Sequence, residues 1–120
     1  MELLAPAGNF ERLKVAFNYG AEACYLAGKR FGLRAFSDNF DEDELKECVE
    51  YAHKLNKKIY VTLNILAHNS DFVGMKEYIE YLDKLHVDAV IVSDIGIMKL
   101  VKDTAPNLPI HVSTQANITN

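Results

Sequence analysis

Five short apolar runs, each separated from the next by a stretch of helical periodicity, leave this 120-residue chain few folds to choose from. The runs are Leu3 to Ala5, Ala23 to Ala27, Ile59 to Leu63, Ala89 to Ser93 and Ile110 to Ser113, and they read as strands. The first helical segment has Asn9 as its N-cap, apolar positions at Phe10, Leu13, Ala16 and Phe17, and Gly20 as its stop. The second opens on Asp41 with Glu44 three residues on and carries Leu45, Cys48, Val49, Ala52 and Leu55 on one stripe. The third starts near Ser70 or Asp71 and buries Phe72, Met75, Ile79, Leu82 and Leu85. The fourth starts near Asp94, read as its cap, and ends before Pro106.

The order βαβαβαβαβ calls for an α/β fold with a parallel sheet, because parallel neighbours need a crossover long enough to return to the starting edge. Two architectures fit that order. Five strands complete a doubly wound, flavodoxin-like sheet, whereas a closed (β/α)₈ barrel needs ~250 residues. The turn after the first strand, Pro6-Ala7-Gly8-Asn9, has neither GxGxxG nor a P-loop pattern, and no helix follows the fifth strand to cover it. The expected fold is therefore a partial TIM-like (β/α) barrel of five parallel strands and four helices. Residues 1–120 are expected to form the N-terminal part of a larger barrel domain, without an internal boundary.

Composition removes several function classes. No apolar run approaches the ~20 residues of a membrane span, and the acidic, proline-broken N-terminus is unlike a signal peptide, so a cytoplasmic protein is expected. A net charge of -4 gives no global attraction to nucleic acid, which leaves only local contact. Cys24 and Cys48 are too few for a disulfide framework or an all-cysteine metal site and read as reduced core thiols. An open five-strand array exposes two edges, so self-association is expected.

Strand parity marks a polar inner face. With Ile59, Val61 and Leu63 toward the helices, Tyr60, Thr62 and Asn64 point inward; His111, Ser113 and Gln115 group in the same way, and Ser93 ends the fourth strand on that face. Parallel α/β proteins bind ligands at the carboxyl ends of their strands. Tyr25 either reaches the barrel mouth or fills the lumen. The connection from Gly28 to Phe40 exceeds the usual ~2 to 6 residues and sets Lys29, Arg30 and Arg34 beside Phe31 and Phe36, which suits an anion or a planar ring but also a solvated loop pinned by buried phenylalanines. His68 and His111 lack metal-binding spacing, and Ser113-Thr114-Gln115 has no nucleophile elbow or local base. His53 and His86 read as surface residues near helix C-termini.

Five blocks carry a family resemblance across the whole chain: Glu2-Leu3-Leu4-Ala5-Pro6-Ala7-Gly8, Gly20-Ala21-Glu22-Ala23-Cys24-Tyr25-Leu26, Phe31-Gly32-Leu33-Arg34-Ala35-Phe36, Tyr60-Val61-Thr62-Leu63-Asn64 and His111-Val112-Ser113-Thr114-Gln115-Ala116-Asn117. In order and spacing they resemble the N-terminal half of peptidase family U32, the collagenase-like proteases. Glu22 stands where aspartate is common in that family, and Ala27 where glycine is common. The resemblance implies a barrel-like fold and a peptidase (hydrolase) of undefined catalytic type, with relatives associated with hydroxylation of RNA bases, including tRNA uridine, or of quinone precursors. It implies an iron-sulfur cluster held by cysteines in a later half, and no cofactor within these 120 residues. It adds weight to Arg34, Asn64, Ser113, Gln115 and Asn117, beside Lys29 and Tyr25, as substrate-binding residues, and identifies no catalytic one.

The expected function is that of a substrate-facing fragment, inactive alone, acting on a protein or RNA substrate. The alternative is a non-catalytic module binding RNA or another anion.

Overall fold

The computed structural model of the chain describes residues 2–27, 42–63 and 72–112. Its elements run β1 (Leu4–Pro6), α1 (Phe10–Asn18), β2 (Ala23–Ala27), α2 (Glu42–Lys54), β3 (Lys58–Thr62), α3 (Phe72–Leu85), β4 (Ala89–Val92), α4 (Ile95–Thr104) and β5 (Ile110–Val112). All neighbouring strands are parallel, in the order β1-β2-β3-β4-β5. That order separates the two architectures. A doubly wound sheet reverses direction partway and places helices on both faces, whereas successive right-handed crossovers in one direction put every helix on one face. The fold is thus a five-stranded parallel sheet with four helices, part of a TIM-like α/β barrel. Among the described residues, no helix is long and apolar enough to cross a membrane.

The core lies between sheet and helices. Cys24, Leu26, Ile59, Val61, Leu63, Val90 and Val92 project to this side and meet Leu13 and Phe17 of α1, Leu45, Cys48, Val49 and Ala52 of α2, Met75, Ile79 and Leu82 of α3, and Ile97 and Val101 of α4. The α2 stripe stops one residue short of its expected length. Leu55 follows the last helical residue and is 43% exposed, because the chain turns away there through Asn56 at φ 64°. Tyr51 of α2 fills the seam to α1, its ring edge-on to Phe10 at 5.5 Å and stacked near Phe17 at 6.4 Å.

The first three helices end on one repeated device. A left-handed residue, Gly20 (φ 103°), Asn56 (φ 64°) or His86 (φ 65°), donates its N–H to Phe17, His53 or Asp83, and the residue after it donates to Ala16, Ala52 or Leu82. These paired bonds satisfy carbonyls that a helix end leaves open and aim the chain back at the sheet within two or three residues. Asn9 Oδ1 caps α1 by accepting from the Arg12 N–H at 2.8 Å, and Asp94 Oδ1 caps α4 by accepting from the Ile97 N–H at 3.1 Å. Asp41, Ser70 and Asp71, expected at the starts of α2 and α3, lie outside the described residues.

Candidate functional site

The face of the sheet away from the helices is built by the alternate residues of the same strands. In register, Pro6, Tyr25, Tyr60 and Ala89 form one level, and Ala27, Thr62, Ile91 and His111 the next level toward the carboxyl ends. Ala23, Tyr60 and Ala89 are buried there, with Tyr25 and Ile91 packed against them. Beside the Tyr60 ring stand Ala89, its level partner on β4, and Ala23, one level toward the amino ends on β2, so small residues pack against a large one as in a filled barrel interior. Tyr25 lies on the lumen face, half-buried against Ala23, Tyr60 and Ala89. The inward placement of Tyr60 and Thr62 follows the expected parity, and His111 shares their face.

Tyr60 organises this face. Its hydroxyl donates to Glu2 Oε1 at 2.7 Å, and its ring meets the His111 imidazole edge-to-face with centroids 4.7 Å apart. Burial, then the hydrogen bond to the Glu2 carboxylate and the negative charge of Glu2 and Asp88, pushes the phenol up to about 12. Tyr60 is thus a neutral hydrogen-bond donor throughout the physiological range. Glu2 is also 3.5 Å from the Lys58 ammonium. Nothing local in the sequence pairs Glu2 with Tyr60, 58 positions away; only the β1-β2-β3 register brings them together. Toward the carboxyl rim the Thr62 hydroxyl donates to the Leu26 carbonyl at 3.5 Å. Half-buried Tyr25 and Thr62 and exposed His111 leave an aromatic face, a hydroxyl and an imidazole available to a ligand.

At the amino-terminal rim, two equivalent acids tie each strand to the one before it. Glu22, two residues beyond Gly20, accepts from the Leu3 N–H at 2.9 Å. Asp88, two residues beyond His86, accepts from the Ile59 N–H at 2.8 Å through Oδ2, which also meets His53 Nε2 at 2.9 Å. His53 is thus a surface residue, as expected, with Asp88 as its partner. Conservation of fold, not chemistry, is the usual role of this end of a barrel.

Of the expected substrate-binding residues, Tyr25 alone falls among the described residues. Lys29, Arg34, Asn64, Ser113, Gln115 and Asn117 lie outside them, as do His68 and the basic aromatic connection from Gly28 to Phe40. Among the described residues, no group of three or more histidine, cysteine, aspartate or glutamate side chains could hold a metal ion.

The sequence profile of Peptidase family U32 matches residues 8–120. The chain is 46% identical over 119 residues to tRNA hydroxylation protein P1 of Bacillus subtilis (strain 168), covering 99% of this chain and 28% of that protein. It is 45% identical over 121 residues to tRNA hydroxylation protein P of Helicobacter pylori (strain ATCC 700392 / 26695), covering all of this chain and 29% of that one. The solved structure of the U32 peptidase Mk0906 superposes with a TM-score of 0.73 over 97% of this chain and 50% of that one, at 17% identity. The last is a likeness of fold alone. The chain spans less than a third of the length of the two curated relatives.

Proposed function

The chain belongs to Peptidase family U32, and from that premise we propose that it is the substrate-facing N-terminal part of a larger barrel enzyme that acts on RNA. The observation that carries this reading is the lumen face: a half-buried Tyr25 and an exposed His111 beside a neutral, fixed Tyr60 offer flat rings and hydrogen-bond donors, which suit an unpaired base. The names of the two tRNA hydroxylation relatives favour tRNA as the RNA and hydroxylation as the chemistry. In this reading Arg34 and Lys29 meet phosphate, while Asn64, Ser113, Gln115 and Asn117 read the edge of the base.

The iron-sulfur cluster implied for relatives does not fit this chain's own thiols. Cys24 and Cys48 are both buried in the helix-side core, and burial, joined at Cys48 by the charges of Glu44 and Glu47, pushes them up to about 11 and about 12. Among the described residues neither belongs to a group of three or more side chains that could hold a metal, and any cluster would need cysteines from elsewhere. The alternative reading, proteolysis, is separated from this one by experiment.

The test compares fluorescence anisotropy of labelled tRNA with cleavage of denatured collagen by the same chain. Saturable tRNA binding, weakened about tenfold by Tyr25→Ala through loss of one stacked base, is expected, with no collagen cleavage. Collagen cleavage without tRNA binding would overturn the reading. Disruption of the encoding gene, followed by mass spectrometry of digested tRNA, should remove a hydroxylated nucleoside.

A further inference from the structure

We propose that the groove between α2 and the C-terminal end of α3 is a second contact site for RNA, one that holds the phosphodiester backbone. This rests on the RNA reading above and extends it to the opposite end of the sheet from the expected base site. The groove encloses about 600 Å³, and Lys46, Lys54, Lys84, His53 and His86 line it against one carboxylate, Glu50. In a chain of net charge -4 this is a local reversal of sign.

None of the three lysines forms an ion pair with a described residue, in contrast to Lys14, held by Glu11 at 3.2 Å, and Lys58, held by Glu2. Helix-dipole stabilisation accounts for cations in a last helical turn, which covers Lys54 and Lys84. It does not account for Lys46, two turns earlier on α2 and directed into the same groove.

The floor suits a sugar-phosphate chain as well. Val49 and Leu85 supply an apolar surface beneath the ammonium groups, against which ribose carbons pack while the phosphates meet lysine. His53 is anchored by Asp88, and His86 stands at the rim in its left-handed turn. Asp88, Glu50 and the neighbouring acidic face of α3, with Glu77, Glu80 and Asp83 beside Lys84, are the charges that oppose an anion here. That acidic face closes one side, so the backbone lies along α2. An RNA engaged at both places spans a chain whose largest extent is 39 Å.

The experiment is a tRNA titration of the 120-residue chain across a series of salt concentrations. Lys54→Glu combined with Lys84→Glu should weaken binding about tenfold or more and reduce the slope of log affinity against log salt by about 2, as two lost phosphate contacts require. Lys102→Glu, an exposed residue of α4 outside the groove, controls for net charge and should change affinity less than about twofold at moderate salt. Equal losses from the control, or unchanged affinity in the double variant, overturn the groove and leave the RNA reading standing. Absence of tRNA binding by the parent chain overturns both. All three lysines are exposed, so circular dichroism should report an intact fold.

Discussion

The two faces of this sheet share the same strands and the same backbone, yet they are made differently. On the helix side, alternate residues Ile59, Val61 and Leu63 enter a continuous apolar core with all four helices. On the lumen side, Tyr60 packs with Ala23 and Ala89 and reaches for Glu2, while Tyr25 and Thr62 remain half-buried and His111 exposed. The first face converts area removed from water into stability through a large core; the second buries a smaller cluster around Tyr60 and places polar atoms at defined positions. The main apolar core and the polar contacts thereby fall on opposite parities of one strand.

Single substitutions on β3 give the sharpest measure of that division. Ile59→Ala should cost about 3 kcal/mol in urea unfolding, since it leaves a cavity among fixed neighbours, whereas adjacent Tyr60→Phe should cost about 1 kcal/mol through one hydrogen bond. Equal costs would show that the lumen face carries as much stability as the core. At the rim where the faces meet, Asp88→Ala removes the acceptor of the Ile59 N–H and the partner of His53, with an expected loss of about 2 kcal/mol. A negligible loss would mean that water replaces the carboxylate without penalty.

Alkaline pH separates the faces by titration. Cys24, Cys48 and Tyr60 all have raised values in the folded chain, so the folded state holds its protons longer than the unfolded one. Stability is unaffected below pH about 9, falls from there as unfolded thiols ionise, and falls more steeply above about 10 as unfolded tyrosine joins them, by at most about 1.4 kcal/mol per pH unit for each group. Replacing both cysteines by alanine should flatten the first part of this decline and Tyr60→Phe the second. An unchanged profile in both variants would assign the decline to other groups.

The smallest expected effects come from the repeated helix endings. Gly20→Ala should destabilise by about 1 kcal/mol, because φ 103° strains any L side chain although open space surrounds the position. His86→Gly should stabilise by about 0.5 kcal/mol or more, since a left-handed histidine relaxes there. A shift in the same direction for both would show that local backbone strain does not control these turns.

Those three endings also show what a sequence reveals. Gly20 announces its turn, because glycine is the usual left-handed residue, whereas His86 performs the same task with no sign in its residue type. The caps at Asn9 and Asp94 and the inward parity of Tyr60 and Thr62 were legible because each depends on residues within a few positions. The Glu2 contact, the His53 partner and the cation groove were not, because their members come from elements distant in sequence. The substrate-side assignments for Asn64, Ser113 and Gln115 come from strand parity and that for Arg34 from the basic aromatic connection, with the family resemblance adding weight to them and alone carrying Asn117; all five positions lie outside the described residues.

The sequence by itself determined the alternation of strands and helices, the parity that separates apolar from polar faces, and membership of the family. Those properties follow from periods of 2.0 and 3.6 residues and from short motifs, all local quantities. Tertiary structure alone decided that the strands lie in sequential order with every helix on one side. It also set Tyr60 between Tyr25 and Ala89 with Glu2 at its hydroxyl, because strand register is a relation between segments that no single segment encodes.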